Sequence, residues 1–552
     1  MYFDEIEIIK VNELLSDKFK YYAHLGSKKS NNKEELFDHT KLCLRYFNKL
    51  VKEKNIDLVL RNFERLYLGG LSLEAIKLFK ELFINTITLH DMGKINPIFQ
   101  SRKMDNESIK FDEKFCAVDT KHSIVSSVLY IDYFWNKVMT YPAQEKKILR
   151  TFMFLNSYII SKHHGSLDEF VKYIDKFDEG EVGFKVIDIF TNTYKEIYIK
   201  GFNLEESKVK TQCKNTKKVL KKCNREESIY LYTYGKLLYS LLLASDYYST
   251  TEFMNGVEMK TFGGLDDVYE FYDIYKRTDV IKSIRNYEEK QYGSKKLDNI
   301  SDINILRNEM FLDAEKVLID HIDENIFFLE APTGSGKSNV SMNLSFKLIE
   351  KEPTLKKIYN IYPFNTLVEQ NLESFTKIFE CNEKILNNIA VVNSIYPIKT
   401  DKYEEESNED FYSKSLLDRQ FLNYPIVLTT HVSIFDTMFG ASKESSFGFH
   451  QLANSVIILD EIQSYKNVIW TEIISFLKGF SKILNMKVII MSATLPNLNL
   501  LLKSKENTIN LIRDREKYFS NPLFKDRVKV SYELMDKENI LDELYTHVKK
   551  SS

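Results

Sequence analysis

The sequence predicts a multidomain protein, an all-α first half followed by an α/β half in which helices wrap a parallel sheet. Three observations predict it. At 552 residues the chain exceeds what one hydrophobic core serves, so two or three domains of ordinary size are expected. Apolar residues recur at helical spacing from about Leu36 to Tyr248. After about Ile326 the pattern changes to short apolar runs that end in small or polar residues, each followed by a helical stretch.

Taken in order, the helical half is clearest in Leu71 to Ile84 and Ile229 to Ala244, where glycine and proline interruptions are sparse. The segment Asp273 to Ser301, rich in Lys, Asp, Glu, Asn and Ser, reads as a linker, which divides the chain into 1–272, 273–301 and 302–552. Beyond it, strands are expected at Ile326 to Leu329, Lys357 to Tyr362, Ile426 to Leu428, Val456 to Leu459 and Lys487 to Met491. A second polar insertion runs from Thr400 to Asp410. The Lys-rich run Ser207 to Arg225 reads as a solvated face.

Composition sets limits on function. Hydrophobic residues make up 43% and charged residues 28%, a soluble balance, and the apolar runs are too short to span a bilayer, so no membrane association is expected. Met1 to Lys10 is acidic and lacks the apolar stretch of a signal peptide, hence a cytoplasmic expectation. Cys43, Cys116, Cys213, Cys223 and Cys381 form no CxxC pair, so any metal must be held by nitrogen and oxygen. A net charge of -2 excludes a generalised electrostatic hold on nucleic acid and leaves a local groove.

The run Phe328-Leu-Glu-Ala-Pro-Thr-Gly-Ser-Gly-Lys-Ser338 follows an expected strand and opens an expected helix, the context a phosphate-binding loop requires. Residues Thr333, Gly334, Ser335, Gly336, Lys337 and Ser338 form the cradle. The glycines let backbone amides point at phosphate oxygens, Lys337 supplies a point charge, and Ser338 would ligate magnesium. Ala331 stands where the strict pattern has glycine. The complementary acids lie in Val456-Ile-Ile-Leu-Asp-Glu-Ile-Gln463, where Asp460 would hold magnesium and Glu461 would position the attacking water. ATP with Mg is the expected cofactor.

Three further segments, Tyr362-Pro-Phe-Asn-Thr-Leu-Val-Glu-Gln370, Leu428-Thr-Thr-His-Val-Ser-Ile-Phe435 and Ser492-Ala-Thr494, complete a set that resembles superfamily-2 helicases with their RecA-like lobes. The resemblance implies that the first two touch the nucleic-acid backbone and the third couples hydrolysis to strand movement. Gln463 stands where that family often has His or Asp. Only 56 residues follow Pro496, and no arginine finger is recognisable among them. The second lobe is therefore expected elsewhere, on a companion chain or in a continuation of a truncated sequence, and this chain alone is not expected to unwind DNA.

In the helical half, histidines and carboxylates cluster in Asp38-His39, His90-Asp-Met-Gly-Lys94, Lys121-His122, His163-His164-Gly165 and Ser245-Asp246, which hold five of the ten histidines. An adjacent His-Asp pair can aim both side chains at a metal pair, and the mixed nitrogen and oxygen sphere suits Mn, Fe, Ni or Co better than Ca. The order of these motifs resembles the HD-domain phosphohydrolases. That resemblance implies one metal on His39, His90, Asp91 and Asp246. Asp91 would bridge to a second on His122, His163 and His164, with Lys94 near the scissile phosphate. Two ions about 3.5 to 4 Å apart hydrolyse phosphodiesters by activating water and stabilising the leaving oxygen.

An HD nuclease placed before a superfamily-2 helicase core resembles the CRISPR-associated helicase-nuclease of type I systems. The segments Leu89-His-Asp-Met-Gly-Lys94, Lys162-His-His-Gly165 and Leu243-Ala-Ser-Asp246 carry the likeness together with the helicase motifs. It implies recruitment by a CRISPR RNA-guided surveillance complex and cleavage of a displaced single DNA strand. Two other readings stay open: a nucleic-acid-stimulated ATPase or RNA helicase with a non-catalytic HD scaffold, and a binding subunit without catalysis.

Overall fold

The computed structural model describes residues 2–26, 32–106, 108–109, 118–178, 180–192, 196–256, 258–264, 268–294, 297, 300–379, 382–392, 416–465, 469–495, 509–526, 532 and 539–551. The insertion Thr400 to Asp410 lies outside the described residues.

A two-stranded antiparallel ribbon, β1 (Tyr22–Leu25) and β2 (Lys33–Glu35), pairs His24 with Glu34 ahead of the helices and was not expected from the sequence. Its alternation is short, with Tyr21 and Ala23 buried between less buried neighbours. The principal helices of the first half are α1 (Leu36–Glu53), α2 (Leu73–Leu89), α3 (His122–Met139), α4 (Ala143–Lys162) and α5 (Arg225–Asn255). Ser72 caps α2 by accepting from the Ala75 amide at 3.3 Å. Helix α5 starts in a capping box between Asn224 and Glu227 and ends at Gly256, whose φ of 70° is the left-handed conformation glycine adopts freely.

Helix α5 is apolar on nearly all faces because it is enclosed from both sides. One side packs on α1. The other meets a helix of the sheet half, where Ile229 lies against Gly479 so closely that a Cβ there would fall 2.4 Å from the isoleucine. Polar bonds tie the same boundary: Asn454 Nδ2 donates to the Lys54 carbonyl at 2.6 Å, and Asn423 Nδ2 to the Tyr248 hydroxyl at 2.9 Å. One apolar core therefore runs from Tyr2 to Ile490 through both halves.

The polar segment 273–301, expected as a linker, is helical over 273–276 and 279–291. Helix α6 (Val268–Lys276) runs into its start and α7 (Asp279–Gln291) fills its middle. Ile281, Ile284 and Tyr287 recur at three-residue spacing and are buried against α8 (Ile303–Asp320), so the abundant polar residues mark only the outer face of an amphipathic helix.

The second half is a seven-stranded, wholly parallel sheet in the order β5-β6-β4-β7-β8-β3-β9. The strands are β3 (Ile326–Glu330), β4 (Lys357–Tyr362), β5 (Ile389–Val392), β6 (Ile426–Thr430), β7 (Ser455–Asp460), β8 (Lys487–Ser492) and β9 (Ile509–Asn510). The five expected strands all form. The two additions, β5 and β9, are short edge strands whose partial burial leaves no continuous apolar run to read. Helices α9 (Lys337–Lys351), α10 (His431–Phe439) and α11 (Trp470–Leu484) flank the sheet. Among the described residues no helix is long and apolar enough to cross a membrane.

Candidate metal centre and nucleotide site

Five separate stretches deliver side chains to one point in the helical half, buried except on the side of His164. His39 projects from the first turns of α1, His90 and Asp91 sit where α2 ends, His122 opens α3, His163 and His164 follow α4, and Asp246 projects from α5. The turn after α2 is held tightly: the Gly93 amide donates to Ser126 Oγ at 2.7 Å, and a Cβ on Gly93 would stand 2.0 Å from the His122 carbonyl oxygen. Only glycine allows that turn to lie against α3.

All seven predicted ligands converge. Asp91 is at the centre, and its two oxygens divide the imidazoles into two sets. Oδ2 faces His39 Nε2 at 3.3 Å and His90 Nε2 at 3.5 Å, while Oδ1 faces His163 Nε2 at 3.3 Å and His122 Nε2 at 3.4 Å. Asp246 Oδ1 joins the first set, 3.4 Å from His39 and 3.9 Å from His90. His164 joins the second, its Nε2 2.8 Å from that of His122. Lys94 Nζ lies 2.7 Å from Asp91 Oδ2.

The donor chemistry fits a pair of nitrogen- and oxygen-bound cations. His90 and His163 each engage a helix carbonyl through Nδ1, at Ile87 (2.8 Å) and Ile160 (2.6 Å), which assigns the proton to Nδ1 and leaves an Nε2 lone pair facing inward. Those Nε2 atoms and Asp91 Oδ1 are buried and make no hydrogen bond among the described residues, an expensive arrangement for groups without an electrophilic partner. Burial lowers His122 to about 4, so its ring is neutral near pH 7. Burial would raise Asp91, but Lys94 and His90 outweigh it and hold the carboxyl well below the usual range.

Three residues of this site escaped the sequence reading. Glu34 Oε2 accepts from His24 Nδ1 at 2.7 Å and lies 3.2 Å from His39 Nδ1, placing a carboxylate behind the His39 ring. His24 Nε2 lies 3.1 Å from Lys94 Nζ. Cys43, one helical turn beyond His39, brings its sulfur to 3.4 Å from His39 Nε2. The available signal was the i, i+4 spacing of His39 and Cys43 on α1.

The second site forms where β3, β7 and β8 end together. Gly334 and Gly336 take φ values of 76° and 89°, and α9 begins at Lys337 directly after them. Thr333, Ser335 and Ser338 complete this loop; the buried Ser335 Oγ makes no hydrogen bond among the described residues. Lys337 Nζ rests 3.2 Å from the Ala331 carbonyl and 3.7 Å from Glu461 Oε1. Asp460 is raised to about 6 by burial and by Glu461 beside it, and its Oδ1 is likewise unbonded. Glu461 holds a φ of 51°, a strained value for a residue with a side chain, costing roughly 1–3 kcal/mol.

Around that loop the other motifs fall into place. Gln463 bridges, its amide nitrogen donating to Glu461 and its oxygen accepting from Ser492 Oγ at 2.5 Å, which joins the acidic segment to Ser492-Ala-Thr494. His431 Nε2 lies 2.8 Å from the Asp460 carbonyl. Arg307 of α8, not singled out from the sequence, donates to the Gly334 carbonyl at 2.8 Å and covers the loop.

Residues 313–501, which contain this loop and the acidic segment, match a family model described as DEAD/DEAH box helicase. More particularly, the fold is similar to the crystal structure of T. fusca Cas3-ADP, with a TM-score of 0.51 at 13% identity over 88% of this chain and 51% of that one. It is similar also to T. fusca Cas3-AMPPNP, with a TM-score of 0.51 at 13% identity over 93% of this chain and 53% of that one. The chain thus spans about half the length of these Cas3 structures. A search among curated proteins finds no match.

Proposed function

We propose that the chain is a metal-dependent nuclease of single-stranded DNA, residues 1–272, working with an ATP-dependent DNA helicase or translocase lobe, residues 302–552, in CRISPR type I antiviral defence. The observation that carries the reading is the division of Asp91: one oxygen turned to His39 and His90, the other to His122 and His163. A carboxylate shared in this way suits two cations and has no use in a scaffold.

In this reading His39, His90 and Asp246 would hold one divalent transition metal and His122, His163 and His164 the other, with Asp91 available to both; Mn, Ni, Co or Fe would suit the donor set. Bound metals supply Lewis-acid activation of water and charge neutralisation in phosphodiester hydrolysis. The carbonyls of Ile87 and Ile160 keep the His90 and His163 rings aimed inward. Lys94, buried beside Asp91, presents an ammonium to a phosphate oxygen of the scissile link.

In the sheet lobe, Thr333 to Ser338 would cradle the phosphates of ATP with Lys337 turned to the outer ones, Asp460 and Ser338 would hold Mg, and Glu461 would orient the attacking water. Support comes from the helicase family model over this lobe and from the Cas3 likeness. Arginines that neutralise the transition-state charge would complete such a site. A CRISPR RNA-guided surveillance complex would present the displaced strand.

The test is cleavage of circular single-stranded DNA by the full chain with Mn, Ni or Co and without ATP. Cleavage is expected, with loss in EDTA and in the His90→Ala, Asp91→Ala double variant. Undiminished cleavage by that variant would favour a scaffold role for the helical domain and defeat the proposal.

A further inference from the structure

A cavity of about 360 Å³ opens beside the metal centre, and its wall is not drawn from the helical domain alone. His24, His164, Asp246, Tyr247 and Thr250 contribute, and across from them stands Lys443 of the sheet lobe. Its ammonium lies 4.7 Å from the centre of the Tyr247 ring, and among the described residues no carboxylate pairs with it.

Lys443 is held there by its own backbone. Lys236 Nζ of α5 donates to the Gly440 carbonyl at 2.5 Å, the Leu167 amide donates to the Ala441 carbonyl at 2.7 Å, and the Tyr232 hydroxyl donates to the Met438 carbonyl at 2.9 Å. Ser442 then caps the next turn through the Ser445 amide at 3.0 Å. The segment leading to Lys443 is α10, whose nine residues begin at the carboxyl end of β6 and whose length of roughly 13 Å follows from a rise of 1.5 Å per residue. Helix α10 and the pinned loop after it thus connect the edge carrying the segment Leu428 to Phe435 with the mouth of the metal centre.

We propose that Lys443 binds a phosphate of the single-stranded DNA next to the scissile one, so that the sheet lobe supplies a positioning residue to the nuclease site. The inference rests on the nuclease reading above. A cation at the rim of this site that makes no carboxylate pair among the described residues is matched by the polyanionic backbone entering the cavity, and an ammonium binds phosphate as a point charge without demanding a fixed base. Lys443 touches no predicted metal ligand, so its contribution falls on substrate binding.

The experiment uses the full chain, a single-stranded oligonucleotide and Mn, with KM and kcat measured between low and moderate salt. Lys443→Ala should raise KM about tenfold, the low end of what a bond to a charged group contributes, with kcat little changed. The slope of log KM against log salt should fall by about 0.7, one phosphate contact on a single strand. Lys443→Arg should restore both, and bound metal and melting temperature should match the wild type in each variant. If the wild type cuts while Lys443→Ala keeps its KM and salt slope, Lys443 has no such role. If the wild type fails to cut with any of Mn, Ni or Co, the nuclease reading falls and this assignment with it.

Discussion

Asp91 and Asp460 show how a buried carboxylate is tuned in opposite directions. At Asp91 burial is overcome by Lys94 and the imidazoles, and the charged form persists. Lys94→Ala should therefore leave the bound metal in place yet lower cleavage about 100-fold, as loss of a single preorganised charge does in other sites; kcat beside elemental analysis checks it. At Asp460 burial and Glu461 prevail, raising the carboxyl from 3.8 to about 6. The folded chain then binds more protons than the unfolded one in that window, so stability is lost as pH rises through it. Asp460→Asn should stabilise the nucleotide-free chain at pH 8 by on the order of 1–3 kcal/mol, read as a higher melting temperature, with the gain shrinking at pH 4. An equal gain at both pH values would disprove the electrostatic cause.

At the scale of elements, the turn between α2 and α3 sets the site's precision. Gly93→Ala forces a methyl group onto the His122 carbonyl, and backbone does not yield as a flexible side chain would. A loss of about 1–3 kcal/mol in thermal unfolding and weaker metal retention are expected. Which elements were readable follows from the same physics. Asp91 and its histidines stood out because adjacent titratable pairs interrupt strongly apolar helices, and β4, β6 and β8 because both their faces are buried. His24 and Glu34 did not, since a ribbon of three and four residues leaves too little alternation to detect. Helix α7 within 273–301 was hidden because composition counts polar residues without asking whether Ile281, Ile284 and Tyr287 share a face. Arg307 gave no local signal at all; its partner, the Gly334 carbonyl, is reached only through the fold.

In the whole molecule, α5 is the shared wall between metal centre and sheet lobe: Asp246 projects from it into the first, and Lys236 and Ile229 meet the second. A continuous core through both halves should unfold as one cooperative unit, so calorimetry is expected to give a single transition that EDTA and nucleotide both shift. Two well-separated transitions, each answering to only one of them, would contradict that coupling. The central claim is that Asp91 is shared by two cations, and metal stoichiometry tests it most directly. After loading with Mn or Ni and removal of excess, elemental analysis should find two ions per wild-type chain and fewer than one per Asp91→Ala chain; an empty wild type, or an equal count in both, would contradict it.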